Sequence, residues 1–104
     1  MKSRTRWLVV SVGLIVNTGS VLASEELAKK TGCLACHAID RKVVGPSYKE
    51  IAAKYNGDAG AEARLIEKLK KGGAGVWGEI FMPPVKTVPE GDIKILVKWI
   101  LSTK

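Results

Sequence analysis

The chain has 104 residues, with 17 basic against 10 acidic side chains, one histidine and two cysteines. Two cysteines exclude a disulfide framework. The basic residues alternate with acidic ones in runs of no more than two, which excludes the clustered basic face that nucleic-acid binding needs.

The N-terminus reads as an export signal. Lys2, Arg4 and Arg6 form a basic region, and residues 7–16 form an apolar stretch interrupted only by Ser11 and Gly13. Residues 17–20 are small and polar, and Val21-Leu22-Ala23 fits a signal-peptidase site. The apolar run is about half the roughly 20 residues a spanning helix requires, which weighs against an uncleaved anchor and stable membrane insertion. Residues 1–23 are therefore expected to be a signal peptide, and 24–104 a single domain of 81 residues. Without Lys2, Arg4 and Arg6 the domain keeps 14 basic against 10 acidic side chains, a net charge of +4. A domain this small buries a modest core and often needs a covalent or metal staple.

Helical periods dominate residues 24–104, with no strand-like alternation and no internal repeat. Ser24 before Glu25 and Glu26 looks like an N-cap with acids in the first turn, predicting a short helix over 24–31. Cys33-Leu34-Ala35-Cys36-His37 lies just beyond Gly32, and residues 38–45 read as a loop ending at Gly45-Pro46. Tyr48, Ile51, Ala52 and Tyr55 fall at i, i+3, i+4 and i+7, one face of a second helix that Gly57 stops. Asp58 is expected to cap a third helix, with Ala61, Leu65, Ile66 and Leu69 as its apolar stripe and Lys70 and Lys71 at its C-terminal end. Residues 72–87, with four glycines and two prolines, read as a loop long enough to be functional. A last helix starts near Pro89 and buries Ile93, Leu96, Val97, Ile100 and Leu101.

The spacing C-x-x-C-H is the attachment sequence of a c-type haem. Cysteines three apart share one face of a helical turn, so both thiols can reach the two vinyl groups of one porphyrin. His37 follows directly, and the Pro46 region could supply a carbonyl for its other ring nitrogen. A thioredoxin-like dithiol would need a βαβ context, which is missing, and zinc would need a fourth ligand. Once the signal is removed, Met82 is the only methionine. A lone methionine is commonly a core gap-filler. This one stands in Phe81-Met82-Pro83-Pro84, where paired prolines stiffen a loop that can hold a thioether at an iron. His37 and Met82 together would close both axial positions. A thioether and an apolar pocket both favour ferrous iron. With no open position for oxygen or peroxide, the expected role is carriage of single electrons between ferric and ferrous iron, not enzyme catalysis. A labile sixth site, giving a sensor or peroxidase, and a haem serving only as a structural staple are the alternatives.

From Glu26 to the C-terminus the chain resembles the small bacterial class I cytochromes c, of the c-551/c-552 type. The resemblance rests on Leu27-Ala28-Lys29-Lys30, the C-x-x-C-H motif, Lys42-Val43-Val44-Gly45-Pro46, Gly75-Val76-Trp77-Gly78, Met82-Pro83-Pro84 and Lys98-Trp99-Ile100-Leu101. It implies a monomeric all-α fold of about four helices around one covalently attached haem, with the terminal helices crossing. It further implies thioethers at Cys33 and Cys36, axial ligation by His37 and Met82, and a Pro46 carbonyl hydrogen bond to His37. Trp77 and Lys68 match positions that bind haem propionates. Together with the export signal, the resemblance leads to the expectation of a periplasmic carrier in a respiratory chain; the mild positive charge suits docking to redox proteins with acidic surfaces, with Lys42, Lys54 and Lys86 as loose candidates for the docking face. Two departures stand out. Val85 replaces an amide side chain common after Met-Pro-Pro, and valine cannot donate to the methionine sulfur, so Met82 is expected to be held less tightly. Glu79-Ile80-Phe81 replaces a more proline-rich approach, leaving Phe81 either to cover the haem edge or to fill the loop core.

Overall fold

The computed structural model describes Gly13 and residues 18–104, with side chains from residue 23 onward. The basic n-region and almost all of the apolar stretch assigned to the signal lie outside the described residues. Among the described residues four α-helices follow one another: α1 (Thr18–Lys30), α2 (Tyr48–Lys54), α3 (Ala61–Lys71) and α4 (Glu90–Leu101). A single 3-10 turn, Cys33–Ala35, sits between α1 and α2. Among the described residues the β pairing consists of two isolated antiparallel bridges, His37 with Lys42 and Gly73 with Met82. No described helix is long and apolar enough to cross a membrane. The fold is all-α, as the helical periods require.

Two helix starts differ from the expected ones. Ser24 does not cap α1; it is buried inside a helix that begins at Thr18. A residue is an N-cap only where the chain upstream leaves helical geometry, and here the uncleaved chain continues the helix backwards. Asp58 likewise stands before α3 without capping it. Gly60 is the cap residue, and Asp58 shapes the approach by accepting from the Gly60 N–H at 3.0 Å and pairing with Arg64. The start of α2 carries a side-chain cap: Ser47 Oγ accepts from the Glu50 N–H at 3.1 Å. Ser47-x-x-Glu50 is the spacing of a capping box, a signal present in the sequence.

Helix α4 is the hub, packing against α1, α2 and α3. Along its stripe Ile93, Leu96, Val97 and Ile100 are buried as the period predicts, while Leu101, expected beside them, is half-buried at the end of the helix. Trp99, off that stripe, is buried as well. Two clusters form on it. One joins Ala28 of α1, Tyr48 and Ile51 of α2, and Leu96, Trp99 and Ile100. The other joins Leu69 of α3 to Ile93 and Val97. Ala28 is 0% exposed where α1 packs on α4. Full burial of a leucine or valine is worth about 1.5–3 kcal/mol, so Leu96 and Val97, both 0% exposed, anchor the two clusters. The first cluster backs the C-x-x-C-H turn, and the second backs the loop that carries Met82.

Candidate functional site

The functional side chains reach one cleft from two directions. The cleft holds about 900 Å³, and Cys33, Cys36, His37, Lys68, Trp77 and Met82 all stand in its walls. That volume lies within the roughly 300–1,000 Å³ of small-molecule and cofactor sites.

One wall is built on a tight turn. The Cys33 carbonyl closes the turn, accepting from the Cys36 N–H at 3.3 Å in the 3-10 manner and from the His37 N–H at 3.0 Å. The chain then folds back. The Cys36 carbonyl accepts from the N–H groups of Val44, at 3.1 Å, and Gly45, at 2.8 Å, and Ala38 accepts from Tyr48 at 3.0 Å. This return brings the Pro46 carbonyl within 2.7 Å of His37 Nδ1. A carbonyl only accepts, so Nδ1 carries the proton and Nε2 of the neutral ring keeps its lone pair. Gly45 lies against the same ring. A Cβ there would stand 2.8 Å from Nδ1, so no larger residue fits without displacing the imidazole. Both thiols are half-buried and free of any disulfide.

Tyr48 completes this wall. Its ring stacks on His37 with centroids 5.5 Å apart and planes 20° apart, and its edge meets Trp99 at 5.3 Å and 69°. The residue is 1% exposed, and its hydroxyl is buried beside the Cys33 thiol. Burial pushes the phenol well above its ordinary range, and the adjacent Cys33 thiol pushes it the same way. The sequence marks Tyr48 only as one position of a buried helix face; nothing in its spacing reveals the contact with His37.

The other wall is built on backbone pairing. Gly73 and Met82 exchange both hydrogen bonds, at 3.0 and 2.9 Å, and the Val85 N–H reaches the Leu69 carbonyl at 2.8 Å. The Met82 segment is thereby pinned to the C-terminal end of α3. Gly72 makes this possible: its φ is +70°, and a Cβ there would press on the Met82 carbonyl and come within 2.9 Å of Pro84 N. Met82 is half-buried and packs with Val85 against the Leu69–Ile93–Val97 cluster. Lys68, in the last turn of α3, lies alongside Gly73, where a Cβ would stand 2.9 Å from its Nζ. Trp77 is partly exposed, and Lys54 Nζ from the last turn of α2 sits 5.3 Å from its ring centroid. Phe81 is 59% exposed, so it does not fill the loop core. Among the described residues no three or more His, Cys, Asp or Glu side chains converge on a point.

Comparison with known proteins gives this arrangement its family. A sequence model described as Cytochrome c matches residues 21–104. Cytochrome c-551 of Allochromatium vinosum is 54% identical over 83 residues, covering 80% of this chain and 88% of that protein. Cytochrome c-551 of Pseudomonas aeruginosa is 50% identical over 97 residues, covering 86% and 92%. The crystal structure of wild-type Nitrosomonas europaea cytochrome c552 superposes with a TM-score of 0.74 at 50% identity, covering 77% of this chain and 99% of that one. The chain belongs to the cytochrome c family, whose members are electron carriers rather than enzymes and carry haem c. Its cleft fits that group. Two unpaired thiols three residues apart, an imidazole with a free Nε2 and a thioether all stand in the walls of one cavity.

Proposed function

We propose that this cytochrome c is a soluble, monomeric, periplasmic one-electron carrier of a respiratory chain. In this reading Cys33 and Cys36 carry the two thioethers, and His37 and Met82 supply the axial ligands. The haem provides a one-electron couple between ferric and ferrous iron; the chain holds it, shields it and tunes it. The observation that carries the proposal is the 2.7 Å contact from His37 Nδ1 to the Pro46 carbonyl. It leaves the Nε2 lone pair free for the iron and fixes the tautomer and orientation of the ring. Met82, backed by an apolar cluster and tied to Gly73, offers a soft ligand that needs little movement on a change of iron charge.

Lys68 and Trp77 take the propionates in this reading. An ammonium neutralises a carboxylate, and an indole N–H donates to one. Val43 and Val44 on one side and Val76, Ile80 and Phe81 on the other are exposed apolar groups. With Lys42 adjoining Val43 in the chain and Lys54 over the Trp77 ring, they support docking to redox proteins with acidic surfaces. Export with cleavage after Ala23 would release 24–104, and the mass of protein recovered from the periplasm tests it.

Optical spectra of the purified protein in both redox states test the ligand set. The ferric form is expected to show the weak far-red sulfur-to-iron band, and Met82→Ala to lose it. Rapid, tight binding of carbon monoxide to the reduced wild type at neutral pH would sink the carrier reading. Val85 has no side-chain donor for the Met82 sulfur, so the sulfur is expected to invert. A single, strongly anisotropic haem-methyl pattern in ferric NMR spectra would count against that.

A further inference from the structure

We propose that Tyr48 is a positioning residue for His37: its ring fixes the plane of the imidazole and ties that plane to the helical core. The inference rests on the reading of His37 as an axial ligand.

A hydrogen bond to one acceptor is a hinge. The contact from Nδ1 to the Pro46 carbonyl aims the imidazole but leaves it free to rock about the line between the two atoms. The stacked face of Tyr48, 5.5 Å away and within 20° of parallel, removes that freedom. Gly45 blocks the Cε1–Nδ1 edge of the same ring. All three neighbours come from one short segment, Gly45-Pro46-Ser47-Tyr48.

Tyr48 is itself held. Its N–H donates to the Ala38 carbonyl at 3.0 Å, it opens α2 behind the Ser47 cap, and its ring rests against Trp99 of α4. An aromatic series, His37 to Tyr48 to Trp99, therefore connects the ligand to the cluster where α1, α2 and α4 meet. The contact with His37 is made by the ring face, whereas the hydroxyl neighbours the Cys33 thiol. A phenylalanine would present the same face to His37 and the same edge to Trp99. A fixed plane serves an electron carrier, because a ligand that does not rotate adds nothing to the reorganisation between redox states.

His37 is the only histidine, so histidine-specific ¹⁵N labelling reports on one imidazole. The test compares ferric NMR spectra of the labelled holoprotein in the wild type, Tyr48→Phe, Tyr48→Leu and Leu96→Ala. Leu96 belongs to the same cluster as Tyr48 but does not line the cleft. Tyr48→Leu is expected to shift the hyperfine-shifted His37 ring signals, while Tyr48→Phe and Leu96→Ala reproduce the wild type. A wild-type spectrum from Tyr48→Leu overturns the proposal. So does an equal shift in Leu96→Ala, which would mean general loosening, or in Tyr48→Phe, which would assign the effect to the hydroxyl. Should Tyr48→Leu fail to hold haem, Trp99→Leu removes the ring that braces Tyr48. A smaller shift in the same direction there supports the proposal, and none overturns it. Absence of any paramagnetic shift on His37 in the wild type would defeat the ligand assignment itself, a failure separate from the variant comparison.

Discussion

The two walls of the cleft hold their key side chains by different means. On the His37 wall the ring itself is restrained, by the Pro46 carbonyl at its edge, the Gly45 backbone beside it and the Tyr48 face against it. On the Met82 wall the restraint falls on the backbone, through the paired hydrogen bonds with Gly73, while the surrounding loop exposes Val76, Trp77, Ile80 and Phe81. An imidazole can be fixed by neighbours because it is flat, rigid and able to donate from one nitrogen. A thioether has no donor and three rotatable bonds, so what the fold can fix is where its segment lies. Local opening is easiest where apolar contacts are few and the backbone is exposed, which makes the Met82 wall the one expected to yield first.

The largest expected effects separate the two core clusters. Leu96→Ala and Ile93→Ala should each cost about 2–5 kcal/mol in a denaturant titration. The ferric sulfur-to-iron band should survive in Leu96→Ala and weaken in Ile93→Ala, because Met82 packs on the cluster that contains Ile93. Equal weakening in both would erase the distinction between the walls.

Glycine substitutions sharpen the comparison at the site itself. Gly45→Ala and Gly72→Ala each force a methyl into occupied space, costing about 1–3 kcal/mol, and Gly72 adds strain from its positive φ. The first should move the His37 signals in NMR spectra, and the second those of the Met82 methyl. Smaller effects are expected further out. Ser47→Ala removes the cap of α2 behind Tyr48 and should cost about 0.5–2 kcal/mol. Lys54→Ala removes the cation above Trp77 and should cost about 0.5–1 kcal/mol or less at this exposed position. Its main consequence should be faster amide exchange in residues 74–81, with the segment around His37 unaffected.

The smallest effect is electrostatic. The Lys71 ammonium, by hydrogen bond and by charge, holds Glu67 below the ordinary carboxylate range, and Lys70 adds to this. A depressed carboxyl stabilises the fold above its unfolded pKa and loses that contribution as pH falls through its folded pKa. Glu67→Gln should therefore flatten acid unfolding slightly, and Lys71→Ala should return Glu67 toward its usual titration in side-chain NMR.

Most of the architecture was legible because burial follows period. The α4 stripe and the α2 face are buried at most of the residues the spacing marks; Tyr55, the C-cap of α2, and Leu101, the last residue of α4, are half-buried because each stands where its helix ends. The misplaced starts have local causes: Ser24 is overrun by helix continuing from upstream, and Asp58 serves the turn before α3 rather than its cap. Trp99 escaped the stripe because it sits beside the helical period, where its size lets it reach Tyr48 all the same. Phe81 could be given two roles from the sequence, and its exposure removes one of them.

By itself the sequence determined the chemistry on offer. It supplies two thiols at C-x-x-C spacing, one imidazole, a methionine set between an aromatic residue and two prolines, and four helical periods to carry them. These are properties of residue type and short spacing, which act within a few residues along the chain. Tertiary structure alone decided how those groups are held: Tyr48 on His37, Gly73 paired with Met82, and Lys54 above Trp77. The physical reason is that periodicity states which face of a segment turns inward but not what it meets there. Loop paths, moreover, are set by backbone hydrogen bonds, which nearly every residue can form and no single residue type announces.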